Sequence, residues 1–173
     1  MYKNYTLLYF CKSGKIYRST RDNIVGDFLR MSNFVEMLND LMQEENINAN
    51  NLAKKLGCTP SSICSYLSGE YSPLIKSLVE IADYFKCTTD YLLGLESENT
   101  SENFLTCPPI GERIKKLVTQ KGYSGRRFCR ESGIPEGTYF AWIAGRAEPN
   151  IDSLIKVAKF LNYSVDYVLG REN

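Results

Sequence analysis

Ile75-Lys76-Ser77-Leu78-Val79-Glu80-Ile81-Ala82 and Ile151-Asp152-Ser153-Leu154-Ile155-Lys156-Val157-Ala158 carry the same Ile, Ser, Leu and Ala at the same four places, 76 residues apart. Carried outward at that offset, 34–94 aligns with 110–170 without a gap. Thirteen of the 61 pairs are identical, eleven of them at or after Gly57. Both stretches end alike, Asp90-Tyr91-x-Leu93-Gly94 against Asp166-Tyr167-x-Leu169-Gly170, and Gly57/Gly133, Gly69/Gly145 and Pro73/Pro149 keep register. A unit of about this length repeated twice is a duplicated domain; a solenoid needs at least about three repeats.

Each copy parses into five helices. In the second, Ile110, Ile114, Leu117 and Val118 recur at helical spacing and predict one buried face. Gly122 closes that helix, and Ser124 is an N-cap for the next, which runs to about Ser132. Gly133-Ile134-Pro135 makes a tight turn into a third helix that buries Tyr139, Trp142 and Ile143 and stops at Gly145. A fourth starts at Pro149-Asn150 with Ile151, Leu154, Ile155, Ala158 and Leu161 inward, and a short fifth carries Val165, Val168 and Leu169. In the first copy Asn48 and Thr59 are the matching caps and Gly57 the turn.

Composition sets the frame. A hydrophobic share of 43% and a charged share of 24% are those of a folded water-soluble chain. No apolar run approaches the roughly 18 residues of a membrane span. Tyr5–Cys11 is apolar but too short and wrongly flanked for a signal peptide, so a cytoplasmic protein without membrane association is expected. Of the six cysteines, none forms a C-x-x-C pair, and the chain has no histidine. Core packing is the expected role of the thiols, and no metal or cofactor is expected. With no histidine, no nucleophile–base arrangement and no glycine-rich phosphate loop, no enzyme and no catalytic residue are expected.

The net charge of +1 conceals a division. Residues 1–31 have six basic and two acidic side chains (+4), 32–95 four and eight (−4), 96–108 three glutamates (−3), and 109–173 eleven and seven (+4). The expected domains follow: a basic extension 1–31, an acidic first domain 32–95, a polar linker 96–108 and a basic second domain 109–173. For the extension three readings stand open: a β-hairpin around Lys12-Ser13-Gly14-Lys15, a basic arm on DNA, or a natural start at Met31.

Ile110-Gly111-Glu112-Arg113-Ile114-Lys115-Lys116-Leu117 resembles the first helix of lambda-repressor-like (Cro/CI, XRE-type) helix-turn-helix domains. The helix–Gly–turn–helix–Gly–Pro spacing and Ser164-Val-Asp-Tyr-Val-Leu-Gly170 resemble the rest of the domain. The resemblance covers about 125 residues in two copies. It implies an all-α protein of two tandem five-helix domains, each with a third helix for the major groove and a second helix whose N-terminus braces phosphates. In one respect the chain departs from that family. An arginine late in the first helix and a glutamate in the recognition helix commonly pair there; here those places hold Met42 and Leu67, and Val118 and Ile143. Replacing both members of a buried ion pair by apolar groups is often neutral or stabilising, so the fold is expected to survive the change.

The resemblance implies a sequence-specific transcriptional regulator binding double-stranded DNA. In the second copy the candidate contacts are Ser124, Arg126, Arg127, Glu136, Gly137, Thr138, Ala141 and Arg146. In the first they are Asn48, Asn50, Asn51, Ser61, Ser62 and Ser65. Arginines at the brace positions suit phosphates, Glu136 suits a cytosine amino group and Thr138 a thymine methyl. The plainer alternative for the same arginines is a solvated helix face, against which their positions and the domain's charge favour phosphate contact. The competing reading is a protein-interaction module, an antitoxin or phage-defence adaptor, with the acidic first domain touching a protein partner. Two assemblies are open. A stretched linker, 13 residues from Glu96 to Pro108, has a flexible span of roughly 20 Å and a full reach of about 43–47 Å; it would let both copies sit about 34 Å apart as a pseudo-dimer. The charges favour a homodimer with two basic second copies on DNA.

Overall fold

A computed structural model of the chain describes residues 7–10, 16–19, 22–99 and 104–172, with side chains for 33–99 and 104–172. Among the described residues there are ten helices: α1 Asp22–Glu44, α2 Ala49–Leu56, α3 Pro60–Leu67, α4 Ile75–Tyr84 and α5 Thr89–Leu92 in the first copy, then α6 Ile110–Gln120, α7 Gly125–Ser132, α8 Glu136–Ile143, α9 Ile151–Leu161 and α10 Val165–Leu169 in the second. Ahead of them the backbones of β1 (Leu7–Phe10) and β2 (Ile16–Ser19) pair antiparallel, Leu7 opposite Ser19. Residues 11–15, the turn of the expected hairpin, lie outside the described residues. The backbone of α1 runs without a break across residue 32, where the sequence places the start of the first domain.

The helix boundaries are set by side chains in sequence. Asn48, Thr59, Thr88, Ser124, Asn150 and Ser164 each accept a hydrogen bond from a backbone N–H three residues on, meeting one of the four amides a helix start leaves unpaired. Gly57 and Gly133 close α2 and α7 in the left-handed conformation, φ +67° and +69°.

Each copy contributes its helices' apolar faces to the core. Phe34, Leu38, Leu41 and Met42 of α1 are buried with Leu52, Ile63, Leu78, Ile81 and Leu92. Ile114, Leu117 and Val118 are buried with Phe128, Tyr139, Trp142, Leu154 and Val168. Truncating any of the fully buried leucines to alanine should cost about 2–5 kcal/mol. Met42 and Val118 are buried, and Leu67 and Ile143 are half-buried against the same cores, so all four places of the missing ion pairs are apolar packing positions.

Close backbone approach fixes how α6, α7 and α8 pack in the second copy. A Cβ on Gly111 would lie 2.0 Å from the Trp142 carbonyl oxygen, so α6 rests directly on the last turn of α8. A Cβ on Gly125 would lie 2.8 Å from the Tyr139 ring, which brings the start of α7 against α8. Arg113 ties α6 to α10: its guanidinium donates to the Tyr167 carbonyl at 2.8 Å and lies over the Tyr167 ring.

Candidate nucleic-acid interface

The start of α7 and the start of α8 form one surface. Arg126 and Glu136 are ten residues apart in sequence, yet Nε and Oε2 stand 3.9 Å apart, across the turn. On the same two helices, the cap before α7 and the turn after α8, Ser124, Arg127, Arg130, Gly137, Thr138 and Arg146 are exposed and Ala141 is half-buried. Ser124 Oγ is occupied, accepting from the Arg127 amide. Arg127 donates to Glu131 at 2.8 Å, and that bond, with the carboxylate's charge, holds its already high pKa higher still. Arg130 faces solvent on the same helix with 77% of its side chain exposed, and no capping or spacing rule had singled it out. Tyr139 and Trp142 are core, 2% and 3% exposed, as their helical spacing requires.

The first copy's equivalent surface has other chemistry. Pro60 and Ser61 are exposed on α3, Ser62 and Ser65 are half-buried, and Ser62 Oγ is bonded to Thr59 Oγ1 at 2.9 Å. Asn48 Oδ1 serves as the cap of α2, while Asn50 and Asn51 are exposed in its first turn. Beside the serines, Tyr71 and Leu74 stand out at 64% and 74% exposure. Ser61, Ser62, Ser65, Tyr66, Tyr71, Ser72 and Leu74 line one shallow groove. At the places of Tyr71 and Leu74 the second copy has Ala147 and Asn150.

Among the described residues the thiols are packing groups with one exception. Cys87 and Cys129 are buried, Cys58 and Cys107 half-buried, and burial raises all four, Cys87 to about 12. Cys64 departs from the expected core role: it lies on the outer face of α3, exposed. Among the described residues no helix is long and apolar enough to cross a membrane.

Two stretches, 38–92 and 114–168, match the helix-turn-helix family. The chain belongs to that family, twice over. The two matched units run from within α1 to the end of α5 and from within α6 into α10. Among known proteins it is similar to two from Bacillus subtilis (strain 168). One is the SPbeta prophage-derived uncharacterized HTH-type transcriptional regulator YonR, 41% identical over 60 residues, 35% of this chain and 56% of that one. The other is the uncharacterized HTH-type transcriptional regulator YqaE, 31% identical over 64 residues, 37% of this chain and 55% of that one. The chain thus spans little more than half the length of these curated relatives. The solution structure of an SOS-response transcriptional repressor, LexA, from Eubacterium rectale aligns over 46% of this chain and 80% of that one, with 24% identity and a TM-score of 0.36.

Proposed function

We propose that this helix-turn-helix chain is a sequence-specific DNA-binding transcriptional regulator, and that its second copy supplies most of the affinity. The observation that carries the reading is the Arg126–Glu136 juxtaposition, which merges the brace end of α7 and the reading end of α8 into one exposed, arginine-rich face. Phosphate contacts need cations on the facing surface, and Arg126, Arg127, Arg130 and Arg146 supply them. In free protein Arg126 and Glu136 neutralise each other at little net gain, since exposed ion pairs are worth only about 0–1 kcal/mol. On DNA, Arg126 turns to a phosphate and leaves Glu136 free to accept from a cytosine amino group, with Thr138 beside it for a thymine methyl. The reading is tested by selecting binding sites for the full chain from a random duplex library. Enrichment of a defined motif supports it, and a pool still random after repeated rounds refutes it.

A second reading is favoured by Tyr71 and Leu74, whose exposure beside the α3 serines gives the acidic copy an apolar face. In that reading the first copy contacts a protein partner while the second holds DNA. A Tyr71→Ala, Leu74→Ala double variant with unchanged DNA binding and lost regulation would favour it; unchanged regulation would dismiss it. A homodimer of chains competes with an intramolecular pair of copies, and the stoichiometry of chain to duplex separates the two.

A further inference from the structure

We infer that the two copies within one chain dock on each other as an intramolecular pseudo-dimer, and that its DNA is a single duplex carrying two dissimilar half-sites. The inference rests on the DNA-binding reading above for its ligand and on the contact between α5 and α10 for its geometry.

Asp90 and Asp166 occupy the same place in the repeat, and each serves the other copy. Asp166 Oδ2 accepts from the amides of Thr89 at 2.6 Å and Asp90 at 3.3 Å; Asp90 Oδ2 accepts from the amide of Asp166 at 3.0 Å. The same residue making the same bond in both directions is the mark of an isologous, two-fold contact, met here within one chain. Both carboxylates are almost wholly buried, 6% and 1% exposed. Each accepts from amides at the start of the opposite copy's last helix that the helix itself leaves unpaired. The helices' own caps, Thr88 and Ser164, meet only the amides of Tyr91 and Tyr167.

One residue breaks the symmetry and locks the contact. Arg171, 0% exposed, stands where the first copy has Leu95. It donates to Asp166 Oδ1 at 2.5 Å within its own copy, and across the contact to Asp83 Oδ1 at 2.6 Å and the Cys87 carbonyl. Its guanidinium carbon lies 3.9 Å from the centroid of the Phe104 ring. A fully buried arginine persists only where its charge is paired, so a surface of this composition is built to be covered. The linker is laid down to match. Asn99 bridges the Lys86 carbonyl and the Thr88 amide on the first copy, and the Leu105 amide donates to the Arg171 carbonyl on the second.

A duplex has two-fold axes of its own, so a pair of reading helices related by a pseudo-two-fold suits two successive major grooves about 34 Å apart. The two helices differ at every reading position: Pro60, Ser61, Ser62 and Ser65 on α3, Glu136, Gly137, Thr138 and Ala141 on α8. One chain therefore reads two unlike half-sites, the second copy anchoring through its arginines and the first adding hydroxyl contacts.

The test takes the full chain and the duplex it selects, with footprinting and the stoichiometry measured by sedimentation. One chain per duplex, protecting two adjacent grooves of unrelated sequence, is expected. Two chains on a palindrome, or one chain on a single half-site, overturns the inference while leaving DNA binding intact; failure to enrich any duplex removes both. Asp90→Lys should open the contact, drop the first copy's half of the footprint and weaken binding at least tenfold with helical circular dichroism retained. Should that variant unfold, Asp83→Lys, which reverses the charge of a half-exposed carboxylate, takes its place under the same criterion. A folded variant with an unchanged footprint and affinity refutes the docking.

Discussion

Arg171→Ala should be among the most damaging single substitutions in the second copy. The side chain is 0% exposed and pairs with Asp166, itself 1% exposed, at 2.5 Å. Removing one member of a buried pair typically costs about 3–5 kcal/mol, because the remaining charge is stranded. Asp166 keeps its bonds from the Thr89 and Asp90 amides, so the lower end, about 3 kcal/mol, is the expected loss. For a chain of this length about 1 kcal/mol moves Tm by roughly 2–4 °C, and the melt should fall by about 6–12 °C. Thermal unfolding followed by circular dichroism at pH 7 reads this directly. Arg171→Met with Asp166→Asn removes both charges while keeping volume and the amide acceptor, and should recover most of the loss. A single variant melting within about 2 °C of wild type, or a double variant no better than the single, would refute the argument that the pair carries its charge in a dry environment.

Asp90 is raised to about 6, chiefly by burial and then by the nearby charges of Asp166 and Glu96, against the lowering effect of the Val165 and Asp166 amides. Its folded pKa lies above the unfolded value of about 3.8, so the folded state binds the proton more tightly and stability falls as pH rises between those values. Going from pH 7 to pH 5 should add about 1 kcal/mol, visible in denaturant melts and lost in Asp90→Asn; equal gains in both proteins would contradict it. Ile143→Glu alone should destabilise the second copy by about 1–3 kcal/mol by placing a carboxylate against the core, and Val118→Arg should restore part of it. A melt with no recovery would show that the two places do not meet. Glu136→Ala should relax preference at one base pair and keep the rest of the selected motif; an unchanged motif would remove Glu136 from the reading set.

Much of the architecture was legible because caps and periodicity are local. Ser124 before Gly125-Arg126-Arg127, Gly133 after Ser132, and the i, i+3, i+4 spacing of Ile110, Ile114 and Leu117 each act within one or two turns. The duplication then doubled every signal. The contact between copies was not legible. Asp90 and Asp166 stood out as identical, yet nothing local says that a helix start will be met by the other copy's carboxylate. Nothing in the sequence around Arg171 marks it as buried; its partners are Asp166 of its own copy and Asp83 and the Cys87 carbonyl of the first. The linker's polar composition predicts free chain, whereas Asn99 bonds to the first copy and Leu105 to the second. In the candidate interface, residue types pointed to Arg126 and Glu136 separately. Their adjacency depends on the turn at Gly133, and so does the reading of the two helix starts as one surface.

The central claim, that the α7–α8 face holds DNA through its arginines, is tested most directly by the salt dependence of binding. The full chain and its Arg126→Ala, Arg127→Ala variant would be titrated against the selected duplex by fluorescence anisotropy between about 50 and 200 mM salt. Loss of two phosphate contacts should flatten the slope of log Kobs against log salt by up to about 1.8, with affinity lowered across all sequences alike. Parallel lines for the two proteins, or a wild-type affinity indifferent to salt, would contradict the account.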